Sequence, residues 1–314
     1  MHRPRSMAIA AGMLAALALL AAGCASIPAG ASQPPAARSR MIYVVASENF
    51  WGSIARQLGG SHVAVYSIIS DPNADPHSYE SSAASARAVA QANYVIQNGA
   101  GYDDWIGRLM SASPSRGRKL LNIADLLGKH PGDNPHLWYN PRYVTAAESR
   151  IEADFKALDP RDAAYFTARR AATDRAFAGL RAQLASIQRR YAGQPVASTE
   201  SIVVYLAHYL RLRLVSPPAF MTAVSEGNDP PAASVAQFER QLAARQPRVL
   251  FYNEQTATAL TTSIRELAVS DHVPVVGVTE TIQPPQLSYQ RWFSRQLTAL
   301  ERALQISMRN GGRR

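Results

Sequence analysis

The stretch from Arg161 to Tyr191 contains no proline in a chain that carries 20, and only Gly179 interrupts its good helix formers. Within it Phe177, Leu180, Leu184, Ile187 and Tyr191 recur at steps of three and four, which places them on one face of a helix. About thirty residues rising about 1.5 Å each make a rod of about 45 Å. That is more than one α/β lobe needs, so the reading is a helix that runs between two lobes. The competing reading is a long surface helix on one large domain.

On either side of this rod, short apolar runs alternate with amphipathic ones. Before it, strands are expected at Ile42 to Ala46, Val63 to Ile69, Tyr94 to Gln97 and Lys119 to Leu121, with helices through Phe50 to Leu58, Ser82 to Ala92 and from Tyr102 onward. In the last of these, Asp103 and Asp104 are expected in the first turn, where the helix dipole favours acids. After it, strands are expected at Val196 to Ser198, Arg248 to Tyr252 and Val273 to Val278. Helices fall at Val203 to Leu210, Ala232 to Arg245, Ala257 to Ser270 and Ser288 to Ser307. A length of 314 residues with 47% hydrophobic content supports two cores of ordinary size. The expected architecture is therefore α/β: two lobes, 41–160 and 192–314, each with a mostly parallel sheet flanked by helices, joined by one long rigid helix at 161–191.

The chain opens as an exported protein does. His2, Arg3 and Arg5 precede an apolar run from Met7 to Ala22, and small residues lead to Cys24, the only cysteine. Residues 1–23 are read as a signal peptide and 24–40, rich in Ala, Pro, Ser and Gly, as a flexible tether. Ala21-Ala22-Gly23-Cys24 resembles a bacterial lipobox, with Leu20 one place early, so Cys24 is the expected lipidation site; simple cleavage near Ala25 is the alternative. A lone cysteine permits no internal disulfide. The net charge of +10 comes mostly from arginines scattered along helices, without the basic runs and interleaved aromatics of a nucleic-acid binder. It fits a solvated basic surface that tolerates an anionic membrane nearby.

Two loops carry the chemistry. Asp75-Pro76-His77-Ser78-Tyr79 and Asn134-Pro135-His136-Leu137-Trp138 each set a proline before a histidine and an aromatic two residues after it. Two stiff imidazole-bearing loops point to two ligands of one ion. Glu200 and Glu280 each follow a strand end, the edge where open α/β sheets place their sites, and are further candidates, although an acid near a helix start also serves as a cap. Asp133 is expected to accept from His136 and orient it. His62, His130, His208 and His272 are read as structural or solvated.

These segments, in this order, resemble the metal-binding receptors of bacterial ABC importers for zinc and manganese, the cluster A-I lipoprotein family. The resemblance rests on Asp75 to Glu80, Asn98-Gly99-Ala100-Gly101-Tyr102 with Trp105, Asn134 to Trp138, Thr199-Glu200 with Tyr205, and Thr279-Glu280-Thr281 followed by Ser288-Tyr289 and Trp292. It covers about Ile42 to Leu304. It implies one metal held in the cleft between the lobes by His77, His136, Glu200 and Glu280. It also implies no catalysis and no organic cofactor, with delivery to a membrane permease driven by a cytoplasmic ATPase. The fourth position is commonly Asp, so Glu280 departs from the pattern, and the long His-rich acidic loop of some zinc receptors is absent. Two imidazoles with two carboxylates suit Mn²⁺, Zn²⁺ or Fe²⁺ rather than Ca²⁺ or Cu⁺; the glutamate at the third position leans toward manganese. The expected state is a monomer in the periplasm or cell envelope, tethered to the membrane through Cys24. Rival readings are a zinc-dependent hydrolase and a receptor for an iron chelate or corrinoid; an additional adhesin role is compatible with either metal.

Overall fold

Among the described residues every strand pairs in parallel, which requires a crossover after each, and helices supply the crossovers. The computed structural model describes residues 41–71 and 79–311. The expected leader, the tether, Cys24 and His77 lie outside the described residues.

The first sheet has the order β2-β1-β3-β4, formed by β1 (Ile42–Glu48), β2 (Val63–Ile69), β3 (Tyr94–Gln97) and β4 (Lys119–Asn122). β1 sits inside this sheet with Val44 opposite both Val65 and Tyr94, and all but one of its residues are buried. The second sheet has the order β6-β5-β7-β8, from β5 (Pro195–Ser198), β6 (Arg213–Leu214), β7 (Leu250–Asn253) and β8 (Val275–Val278). Helices α1 (Asn49–Gly59), α2 (Ala83–Gln91), α3 (Trp105–Ala112), α4 (Ile123–Leu126) and α5 (Pro141–Leu158) belong to the first half. The second half carries α7 (Val204–Tyr209), α8 (Pro218–Ser225), α9 (Ala232–Ala243), α10 (Ala259–Ser270) and α11 (Tyr289–Gly311).

Between the halves runs α6 (Ala163–Tyr191), 29 residues and so about 44 Å long. Its buried residues, Phe166, Thr173, Phe177, Leu180, Leu184, Ile187 and Tyr191, follow the three-and-four spacing. The Arg169 guanidinium near its start donates to the Gln57 carbonyl of α1 at 2.7 and 3.0 Å. Gln183 near its end donates to Thr298 Oγ1 of α11 at 3.0 Å. The helix is thus fastened to an element of each half.

Two features differ from expectation. The chain between the second histidine loop and the long helix forms α5, a helix of 18 residues started by the Asn140 side chain, which accepts from Arg142 N at 3.0 Å, and by Pro141 in the first turn. The two expected cores are also largely one. A single buried cluster runs from Ile42, Val44 and Trp51 through Phe166 and Leu184 to Val196, Phe251 and Val276, with smaller clusters under α8 to α10 and under α2 and α3.

Aromatic side chains cause the continuity. Phe50 stacks on Trp138 with centroids 4.1 Å apart, Tyr139 packs against Trp292 and Phe293, and Phe177 stacks on Tyr289. Polar bonds cross with them: Tyr139 OH donates to Thr279 O at 2.9 Å, Tyr289 OH to Trp138 O at 2.6 Å, and Asn49 exchanges two bonds with the Ile282 backbone.

Candidate metal centre

The carboxyl ends of β1, β3, β5, β7 and β8 deliver polar residues to one region. After β5 the chain turns through Thr199 to Glu200, which precedes a short 3-10 turn (Ser201–Val203). After β8 it passes through Thr279 to Glu280. His136 comes from the loop that enters a 3-10 turn at Leu137–Tyr139. Each of His136, Glu200 and Glu280 offers a ligand atom within 4.8 Å of the others, and their exposures are 0%, 1% and 0%. These three expected site residues are therefore gathered; the fourth, His77, lies outside the described residues.

The histidine is held in one tautomer. Asn134 Nδ2 donates to Ser201 O at 2.8 Å, which fixes the amide so that its Oδ1 faces His136, accepting from the backbone N at 3.0 Å and lying 2.8 Å from Nδ1. An amide oxygen only accepts, so Nδ1 donates to it, and in the neutral ring Nε2 is the nitrogen able to ligate a cation. The orienting residue expected here was Asp133. Its Oδ2 instead accepts from His130 N at 3.0 Å, closing the loop one turn earlier. The side chain against the ring is that of Asn134.

The two carboxylates share a donor that sequence reasoning did not single out. Asn253, the last residue of β7, donates through Nδ2 to Glu280 Oε1 at 2.8 Å and also to Glu200 Oε1. Its Oδ1 accepts from Gln255 N at 3.0 Å, which fixes the amide's orientation. Thr256 Oγ1 donates to Glu200 Oε2 at 3.2 Å, and Tyr102 OH to Glu280 Oε2 at 2.6 Å. Burial and the Glu280 charge push the Tyr102 phenol well above its ordinary value, so it stays a donor. The position of Asn253 at a strand end, matching those of Glu200 and Glu280, was the available signal.

The turn after β3 places Tyr102. Gly99, Ala100 and Gly101 all have positive φ, and a Cβ on Gly99 would sit 2.1 Å from Asn122 Oδ1, so only glycine fits there. Asp103 does not serve the dipole of α3. Its carboxylate accepts from Asn98 N at 2.7 Å, from Gly99 N at 2.8 Å and from Ser47 Oγ, tying the turn to β1. Burial pushes it up to about 6 against these bonds. Asn98 Nδ2 reaches Pro135 O at 2.9 Å, so the same turn also anchors the His136 loop. Glu48, at the end of β1, is fully buried; burial and the neighbouring Asp103 hold its carboxyl well above the usual range. Beside His136 opens a cleft of about 420 Å³ lined in part by Tyr102, Asn134, Ser201 and Glu226.

An imidazole and two carboxylates within ligand distance, buried under the neutral donors Asn253, Thr256 and Tyr102, form a donor set for a divalent transition ion. His62 has a different occupation: it lies 2.8 Å from Asp162 and stacks on Tyr165.

The family model described as zinc-uptake complex component A, periplasmic (ZnuA) matches residues 44–303. The chain belongs to this family. Among curated proteins it is 26% identical over 157 residues to the manganese-binding lipoprotein MntA of Halalkalibacterium halodurans; the match covers 48% of this chain and spans only half the length of that relative. In three dimensions it resembles the periplasmic zinc binding protein TroA of Treponema pallidum, with a TM-score of 0.68, 15% identity and coverage of 85% of this chain and 99% of that one. It also resembles the Mn-bound periplasmic metal binding protein of Candidatus Liberibacter asiaticus, with a TM-score of 0.70, 16% identity and coverage of 84% and 99%. At these identities the likeness is one of fold. The two parallel sheets and the long helix between them are the arrangement shared with these structures.

Proposed function

We propose that this chain is the extracytoplasmic receptor of an ABC importer, which captures one divalent transition-metal ion between its lobes and hands it to a membrane permease driven by an ATPase. The observation that carries this reading is the buried triad of His136, Glu200 and Glu280, drawn from three separate loops within 4.8 Å. His77 is the fourth ligand in this reading.

Burial favours a bare ion over a chelate, because groups at 0% and 1% exposure converge on one enclosed point rather than presenting a wide surface of aromatic and arginine anchors. Four protein ligands would close the shell that a catalytic zinc must leave open, so the reading is transport without catalysis. Two nitrogens and two carboxylates accept both Mn²⁺ and Zn²⁺; the glutamate at the third position supports manganese as the cargo, and the intrinsic affinity order favours zinc. Delivery would proceed by a small rocking of the lobes, since α6 and the aromatic seam resist a wide hinge. Export, acylation of Cys24 and a monomeric state complete the proposal.

The test is calorimetric titration of metal-stripped protein with Mn²⁺ and Zn²⁺, alone and in competition. His136→Ala and Glu200→Ala are each expected to lower affinity at least about tenfold while leaving the circular dichroism spectrum unchanged. Unchanged affinity in both variants would remove the assignment.

A further inference from the structure

Helix α11 carries a feature that cation capture does not use. Arg291, Arg295, Arg302 and Arg309 are all exposed. With 3.6 residues per turn they fall within about 40° of one another around the helix and extend about 27 Å along it. The other side of α11 is core: Trp292, Phe293, Leu297, Leu300 and Leu304 are buried. The only acid on this helix is Glu301, which pairs with Arg190 of α6. Among the described residues none of the four arginines has a carboxylate within ion-pair distance. Arg291 and Arg295 are four apart on the helix and repel, so this pair is a cost to the isolated fold. At its C-terminal end Ile306 is 52% exposed and Met308 44%, two of the few large apolar side chains left in solvent.

The chemistry of this surface selects its partner. Arg291, Arg295 and Arg302 line an open groove of about 580 Å³ along the helix, and the aromatics of α11, Tyr289, Trp292 and Phe293, are buried and offer no platform for bases. The row of arginines fits an array of phosphates, which guanidinium forks bind in pairs, with the exposed Ile306 entering the interface beside them. The net charge of +10 adds long-range attraction of the same sign.

We propose that the Arg291–Arg295–Arg302–Arg309 stripe docks the protein on the anionic phospholipid headgroups of a bilayer. This contact is separate from the metal centre and does not depend on which cation is carried. It gives the molecule a defined face toward the membrane in addition to any tether at Cys24.

The test is flotation of the exported chain with vesicles of phosphatidylcholine alone or mixed with phosphatidylglycerol, at low ionic strength. A basic side chain near an anionic surface is worth about fivefold in partitioning, so the preference for charged vesicles is expected to exceed about tenfold. The quadruple change of all four stripe arginines to Gln is expected to abolish that preference. A control with the same change in charge, Arg87, Arg108, Arg116 and Arg240→Gln, all exposed elsewhere, is expected to keep most of it. Inorganic phosphate at the same total phosphorus is expected to leave binding intact. Equal losses in the two quadruple variants, displacement by inorganic phosphate, or no preference for charged vesicles would each overturn the proposal. Metal titration of the stripe variant is expected to match the wild type, which keeps this outcome distinct from that of the receptor reading.

Discussion

Asn253→Ala removes an amide that touches both glutamates. Asn253 is 2% exposed, and its Nδ2 donates to Glu280 Oε1 at 2.8 Å and to Glu200 Oε1. A hydrogen bond to a charged group is worth about 1.5–3 kcal/mol, so the gross loss is about 3–6 kcal/mol. Tyr102 and Thr256 still hold the far oxygens, and the part that reaches the cation is the lost mutual orientation of the carboxylates, about 10–100-fold in affinity. Two carboxylates within 4.8 Å without their shared donor also repel, so in the cation-free variant one takes up a proton more readily. That proton must leave when the cation binds. The affinity loss is therefore expected to be larger at acidic pH and to shrink as pH rises. Calorimetric titration of stripped wild-type and variant protein at two pH values, in buffers of different ionisation enthalpy, reads both the affinity and the protons released. A loss below twofold at both pH values, or one independent of pH, would refute the bridging role.

Tyr102→Phe keeps the ring contacts with Trp138 and His136 but deletes the 2.6 Å bond to Glu280, and is expected to weaken metal binding by about 5–20-fold with the melting temperature nearly unchanged. A fall in melting temperature without a change in affinity would reassign the phenol to the fold. Glu148, buried on α5, is pushed by burial from its ordinary value of 4.5 up to about 7, against the pull of Arg170. The folded protein then holds a proton that the unfolded chain releases, so stability falls as pH rises from about 4.5 through about 7. Glu148→Gln is expected to gain about 1–3 kcal/mol at pH 8 and little at pH 4, read from urea melts at the two pH values; an equal effect at both would contradict the sign.

The periodicity of α6 and the alternation of strand and helix were legible because both are imposed by burial of one face. α5 was not, although Asn140-Pro141 gives a start signal and Val144, Ala147, Ile151 and Phe155 give the period; Pro160 separates it from the longer proline-free run, whose length makes it the more conspicuous of the two. β6 has two residues and α8 eight, too short for a period to show. His136, Glu200 and Glu280 stood out because proline-stiffened loops and strand ends are local features. Asn253 did not, since an asparagine ending a strand is common and its role appears only when β5, β7 and β8 lie side by side. Charge makes Asp133 the conspicuous partner for His136 in the sequence, whereas in the fold the Asn134 amide lies 2.8 Å from Nδ1. The joining of two cores into one depends on Trp138, Tyr139, Tyr289 and Trp292 meeting across long sequence separations, which no local pattern encodes.

The most direct measurement is anomalous scattering from crystals of stripped protein soaked in Mn²⁺, recorded on both sides of the manganese edge. The expected result is one strong peak within bonding distance of His136 Nε2 and of carboxylate oxygens from both Glu200 and Glu280. A peak elsewhere in the molecule, with the triad unligated, would contradict the account.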